Sequence, residues 1–405
     1  MHEGHDGAGR ISRREALRWG AIGAGGILLP GALSACGDGS GAGSVSAPAT
    51  TAATTLKPFD PHAAAGSAPS GLAKIFGFPG SFDDAQSVAF GSAIKRACSD
   101  RGLDYSVAVA NGDMTKITDQ TQQMFVRNIC AMFQYPFEEP ATRPLAQQAL
   151  DKGMAVFAFS RPYSTMQYIE DEGAVGRTIG RAAVTWIKQN LAGSANVVHF
   201  NNDKNEPTSI PRHKATLAEL KKGGPGIKVV ADISEQGGTE PSANAFATVL
   251  QAHPDVNVVI GTEFAGIGAF TVLDSKGKGN DPKVYISVLA AADDALSEIA
   301  SGNSAIKAGF LYPWPLLGYA TGQFAADWLE GKSIPRLGMP PNGAVIEVSS
   351  PESVAAYKAA MKDPAKTWND PTTRSKYVTY LGNINYDQRS SYWRRAAALP
   401  RAGTA

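Results

Sequence analysis

The sequence predicts an α/β protein made of two doubly wound parallel-sheet lobes. Three observations carry that prediction. Short apolar runs bounded by Gly, Pro, Asn or Asp alternate with longer amphipathic stretches from residue 72 to residue 361. Such alternation implies parallel strands joined by crossover helices that cover both faces of a sheet. The pattern runs through residues 72–159 and restarts at residue 173, giving two αβ blocks of similar plan. The length of 405 residues leaves chain enough for two lobes of ordinary size once a leader and a linker are set aside.

Ser12-Arg13-Arg14-Glu15-Ala16-Leu17-Arg18 resembles a twin-arginine export signal, and a Gly-rich apolar segment follows from Trp19 to Leu29. Leu33-Ser34-Ala35-Cys36 resembles a lipobox. Small residues let a peptidase hold the backbone closely, and the Cys36 thiol is the group that takes the lipid. Residues 1–35 are therefore expected to be removed and Cys36 to be lipidated. The apolar segment is too short and too broken by Gly for a spanning helix, which needs about 20 apolar residues. Residues 36–71, rich in Gly, Ser, Ala, Thr and Pro, are expected to be a flexible linker.

Leu72–Phe78 reads as a buried strand, and Asp84–Arg101 as a helix with small or apolar residues at Val88, Ala89, Ala93 and Ala97 and a stop at Gly102. Tyr105–Val109 is a second strand, turning at Asn111-Gly112-Asp113, and Thr118–Asn128 is a second helix. Ile129–Phe133 is a strand, Leu145–Lys152 a helix closed by Gly153, and Met154–Phe159 a fourth strand. The second block reads as helices over 173–191, 211–222, 242–252, 266–275, 293–301 and 316–330. Its strands fall at 196–200, 227–234, 256–261, 283–289 and 305–311. A strand at 344–348 and a helix at 351–361 close it. Residues 363–405 form an extension carrying Trp368, Tyr377, Tyr380, Tyr386, Tyr392 and Trp393, expected to pack along the lobes or their hinge. Ligands of such sheets sit at the carboxyl ends of strands, so two facing lobes line one cleft.

Composition narrows the function. Lys and Arg number 38 against 37 Asp and Glu, and no long basic run follows the signal, which removes the electrostatic footprint of a nucleic-acid binder. Cys98 and Cys130 remain after Cys36; a disulfide and two buried thiols are both open. The six histidines show no zinc-like spacing, so neither metal nor cofactor is assigned. Gly331-Lys332-Ser333 lacks the glycine a phosphate loop requires and ends a helix rather than opening one. Gly266-Ile267-Gly268 lacks the third glycine of a dinucleotide fingerprint, and Asp293-Asp294 is explained by a helix N-terminus. No catalytic triad pattern stands out, and no catalytic residue is assigned.

Several stretches then fall in a familiar order. Ala110-Asn111-Gly112-Asp113, the strand Gly153 to Arg161, the helix start Asp171 to Gly176, Pro211-Arg212, Ile260 to Ala269, and Tyr312-Pro313 with Leu317-Gly318 each resemble a motif of one family. That family is the type I periplasmic sugar-binding proteins of ABC transporters, ribose- and galactose-type, and the resemblance covers residues 72–350. It implies two lobes joined by a three-strand hinge: residues 72–162 with 313–338, and residues 163–311 with 339–362. It implies a non-enzymatic receptor that closes on a small solute, expected to be a carbohydrate, and passes it to ABC permease subunits. The receptor is expected to be a monomer, exported and held by its lipid on the outer face of the cytoplasmic membrane, in the cell envelope. Arg161 and Arg212 are the foremost ligand candidates, since a guanidinium offers fixed donors to hydroxyls or carboxylates. Phe82, Asp84, Thr262, Glu263, Phe264 and Tyr312 complete the expected site. The chain departs from the family at Ser160, Thr262-Glu263, Ala290 and Leu311, where sugar-binding side chains would stand, so the solute need not be ribose. An exported sensory receptor on the same fold, and an enzyme on a Rossmann-like scaffold, are the alternatives.

Overall fold

The computed structural model describes residues 56–135, 139–204, 209–235 and 237–390. The expected leader and the expected lipidation site, Cys36, lie outside them.

Two sheets organise the chain. The first begins with β1 (Ala73–Ser81), α1 (Ala85–Asp100), β2 (Asp104–Val109), α2 (Met114–Val126), β3 (Ile129–Gln134), α3 (Glu139–Asp151), β4 (Ala155–Phe159) and β5 (Met166–Tyr168). The second holds α4 (Glu172–Asn190), β6 (Ala195–Asn201), α5 (Ile210–Lys222), β7 (Ile227–Ser234), α6 (Thr239–Ala252), β8 (Val258–Thr262), α7 (Glu263–Asp274), β9 (Tyr285–Leu289), α8 (Asp293–Ser301) and β10 (Ile306–Leu311). The chain then returns to the first lobe with α9 (Trp314–Leu329) and β11 (Leu337–Met339), and crosses again to β12 (Ile346–Val348) and α10 (Pro351–Lys362). It ends in the first lobe with α11 (Pro364–Asn369), α12 (Pro371–Arg374) and β13 (Thr379–Leu381). Strand order is β13-β11-β5-β4-β3-β1-β2 in one sheet and β12-β10-β9-β8-β6-β7 in the other. Each is parallel except for one antiparallel edge strand, β13 or β12.

Local chemistry accounts for the element starts. Asp84, Asp113 and Asp171 each accept backbone N–H bonds at the N-caps of α1, α2 and α4, satisfying donors the helix cannot. The cap at Asp113 starts α2 four residues earlier than Thr118, where apolar spacing places it. Strands β3 and β4 are buried almost throughout, as parallel strands covered on both faces must be. Gly176 and Gly180 let α4 lie directly against α5: a Cβ at Gly176 would strike the Arg212 carbonyl, and one at Gly180 the Glu219 side chain.

The hinge segments hydrogen-bond to one another. Ile169 N–H donates to Gly338 (2.9 Å) and Asp171 N–H to Gly343 (2.9 Å), while Tyr357 on α10 donates from its hydroxyl to the carbonyl of Tyr312 in the hinge (2.8 Å). A further passage at Asp363 brings the C-terminal residues back to the first lobe. There Trp368 and Tyr380 pack edge-on against Phe324, and Tyr386 against Trp328.

The linker expectation needs correction over residues 56–71. Phe59 N–H donates to Tyr380 (3.0 Å), Gly66 N–H to Gly331 (2.7 Å), and the Ser333 hydroxyl to the Ala64 carbonyl (2.7 Å). The Phe59 ring meets Phe324 edge-on at 5.9 Å. One aromatic ring and a set of backbone bonds offset the ordering entropy that the surrounding small residues suggested would prevail. No helix among the described residues is long and apolar enough to cross a membrane.

Candidate ligand-binding cleft

The carboxyl ends of both sheets meet at one seam. Gln86, in the first turn of α1, donates from Nε2 to the carbonyl of Ala290, just past β9, at 3.2 Å. Backbone strain gathers at the same ends: Asn111 after β2, Ser160 after β4 and Ala290 after β9 hold φ of 50°, 49° and 57°. Non-glycine residues rarely occupy that left-handed region, and where they do a site is commonly nearby.

The first lobe's end is paved with rings. Phe82 meets Tyr135 at 5.3 Å, Tyr135 meets Phe159 at 5.9 Å, Phe159 meets Trp314 at 5.0 Å, and Trp314 meets Tyr312 at 5.5 Å, so the ribbon runs from β1 to the hinge. The Tyr135 hydroxyl lies 2.8 Å from the Ser87 hydroxyl. The second lobe's end mixes polar side chains with the apolar Ile179, Phe200, Ile260 and Leu289. A pocket there is bordered by Asn201, Asn202, Ser209, Arg212, His213 and Thr262. Arg212 is buried and donates to both carboxylate oxygens of Glu172, at 2.8 and 3.0 Å.

The family profile for the periplasmic binding protein domain matches residues 78–333, more than half of the chain. The chain belongs to the periplasmic binding protein family. Among solved structures, a binding protein from Mycobacterium smegmatis, described as an ABC transporter solute binding protein with bound glycerol, is 23% identical. It covers 71% of this chain and 97% of its own, at a TM-score of 0.57. A second M. smegmatis protein, in complex with beta-D-fucofuranose, is 18% identical over 73% of this chain and 97% of its own (TM-score 0.61). A Bacillus halodurans solute binding protein with bound myo-inositol is 17% identical over 72% and 99% (TM-score 0.60). At such identities the likeness is one of fold. A search of curated proteins gives no match.

The expected site residues of this binding protein fall into distinct positions. Phe82 belongs to the aromatic ribbon. Asp84 is occupied with capping, accepting from Gln86 N–H, Ser87 N–H and the Ser87 hydroxyl. Arg161 follows β4, its Nη1 3.4 Å from the Ser160 carbonyl. Thr262 and Arg212 border one pocket, and Thr262 Oγ1 is buried without a hydrogen-bond partner among the described residues. Glu263 opens α7. Burial lifts its carboxyl to about 7, opposed by the Ala292 N–H that donates to it and reinforced by Asp294 and Asp293. Phe264 is half exposed (49%) and is not among the pocket residues. Tyr312 sits at the hinge, where burial, then Glu170 and Glu172, push its phenol well above the ordinary range.

Sequence reasoning missed Tyr135, Phe159 and Glu172, and it missed a cluster of His199, His213, Asp203 and Asp232. His213 Nδ1 lies 2.7 Å from Asp203 Oδ2, and its Nε2 2.7 Å from Asp232 Oδ2. Burial works against charge on His213, yet hydrogen bonds to Asp203 and Asp232 raise its pKa; burial holds His199 below its ordinary value. Phe159 ends β4 and Tyr135 directly follows the carboxyl end of β3, which is the signal that could have found them. The two thiols are both free and buried, and burial lifts each to about 12.

Proposed function

We propose that the chain is the solute receptor of an ABC importer, exported, tethered through lipid on Cys36, and serving a permease without changing its cargo. The solute is a sugar or a related polyol. The observation that carries this reading is the meeting of two sheet ends at one seam, where Gln86 of one lobe reaches Ala290 of the other. One side of the seam offers flat rings for the apolar face of a sugar ring, and the other offers polar groups for its hydroxyls. The solved neighbours bind glycerol, beta-D-fucofuranose and myo-inositol, which supports a small polyhydroxylated ligand. Arg161 and the Thr262 hydroxyl are the side chains proposed to contact it.

The test is a thermal-shift panel of pentoses, hexoses, inositols and glycerol on the purified chain, with native mass spectrometry for any co-purified molecule. One member should raise the melting point saturably and leave the mixture chemically unchanged. Turnover of that compound, or no shift with any polyol, sinks the reading. Loss of uptake on deleting the gene, as opposed to loss of a signalling response, separates an importer from a sensor.

A further inference from the structure

The second lobe carries a cluster assembled from three elements. His199 on β6 and Asp232 on β7 are direct register partners, and His213 stands in the first turn of α5. The two imidazole rings lie nearly parallel, 15° apart in plane with centroids 5.0 Å apart. The Asp232 carboxylate serves both: Oδ1 is 3.0 Å from His199 Nδ1, and Oδ2 is 2.7 Å from His213 Nε2. One ligating atom from each of the three side chains falls within 4.8 Å of the others. Only four histidines occur among the described residues, at 62, 199, 213 and 253, and two of them stack here.

We infer that His199, His213 and Asp232 form a binding site for a divalent first-row transition ion of the zinc class. Two imidazoles and a carboxylate are the donor set such ions take, with bonds of about 2.0–2.2 Å. At tetrahedral angles those bonds separate donors by about 3.3 Å, so the present contacts need to open only slightly. The surroundings suit the role. His213 turns its other nitrogen to Asp203 at 2.7 Å, the carboxylate–imidazole arrangement that fixes a ligating ring and raises its basicity. Asn201 Nδ2 donates to Asp232 Oδ1 at 3.1 Å, and the Ser209 hydroxyl to Asp203 Oδ1 at 3.4 Å, so both carboxylates are oriented. Three protein donors leave a tetrahedral ion one open position. His199 and His213 border the same pocket as Asn202, Arg212 and Thr262, from which a small oxygen ligand has access to that position.

The test uses the full chain, untagged, stripped with chelator and free of any solute, so its result is independent of the solute reading. Calorimetry should show one equivalent of Zn²⁺ taken up, and Co²⁺ should give the strong visible absorption of four-coordinate cobalt. His253→Gln should leave both unchanged. His213→Gln and Asp232→Asn should abolish both, while Asp203→Asn, which keeps all three donors, should weaken Zn²⁺ binding about tenfold to a hundredfold. Circular-dichroism melts establish that each variant folds; if the two ligand variants do not, Asp203→Asn and the cobalt spectrum of the parent decide. Absence of stoichiometric uptake by the parent overturns the inference, leaving a proton-bridged cluster only. So does uptake that survives His213→Gln, or indifference to Asp203→Asn.

Discussion

Arg161 and Arg212 look alike in the sequence and differ in the fold. Arg212 is buried against Glu172, and one side chain of a buried ion pair cannot be removed cheaply. Arg212→Ala should cost about 3–5 kcal/mol in chemical denaturation, because it takes this counter-charge away from the buried Glu172 carboxyl, and replacing both residues with Met should recover most of the loss. Arg161 is part-exposed at a strand end, so Arg161→Ala should weaken solute binding about tenfold to a hundredfold with little change in the unliganded melting point. An equal loss of stability and binding would make Arg161 structural. Glu263 gives a pH signature. Its carboxyl titrates at about 7 in the folded protein against an ordinary 4.5, because burial favours the neutral form. A raised acid pKa means stability that is full below the unfolded value and is lost as pH rises through the folded one. Glu263→Gln should therefore match the parent below about pH 4.5 and exceed it at pH 8, by about 1–2 kcal/mol once solvent screening of this partly exposed group is allowed for. Urea titrations at both pH values check this.

At the scale of elements, helix packing sets the polar face of the cleft. The α4–α5 contact runs over Gly176 and Gly180, and it is this approach that brings Arg212 to Glu172. Gly176→Ala gains helix propensity of about 1 kcal/mol, yet its methyl meets the Arg212 backbone, which cannot turn aside as a side chain can. The net effect should be destabilisation of about 1–2 kcal/mol, with a chemical-shift change or altered protection at Arg212 in hydrogen exchange. The start of α1 after Asp84 and the helix ends at Gly102, Gly153 and Gly302 were legible because caps and glycine stops carry their own chemistry, whereas Asp113 reads as part of a turn in the sequence and caps α2 in the fold. β5, β11 and β13 were not legible. Each is three residues long, too short for a period of two to register, and each exists because a neighbouring strand supplies its hydrogen bonds.

At the scale of the whole molecule, two lobes share a hinge whose segments hydrogen-bond to one another, and they touch through Gln86 and Ala290. A ligand bridging both faces stabilises the closed arrangement by its extra contacts there, so saturating solute should lower the radius of gyration in small-angle scattering. No change on saturation would mean a preclosed or rigid receptor. The C-terminal residues belong to the first lobe, where Trp368, Tyr380 and Tyr386 cover Phe324 and Trp328 and β13 pairs the edge of β11. Their aromatic content announced a packed segment; the side they would choose depended on which helix left an uncovered apolar face.

The alternation of apolar runs and helices, read residue by residue, was sufficient for two parallel-sheet lobes, because strand and helix periods are local and repeat many times. Folding alone chose which side chains meet. Arg212 finds Glu172 forty residues away, and His199, His213 and Asp232 converge from three elements. Those encounters depend on strand register and on helix contacts between distant segments, and no spacing along the chain encodes either.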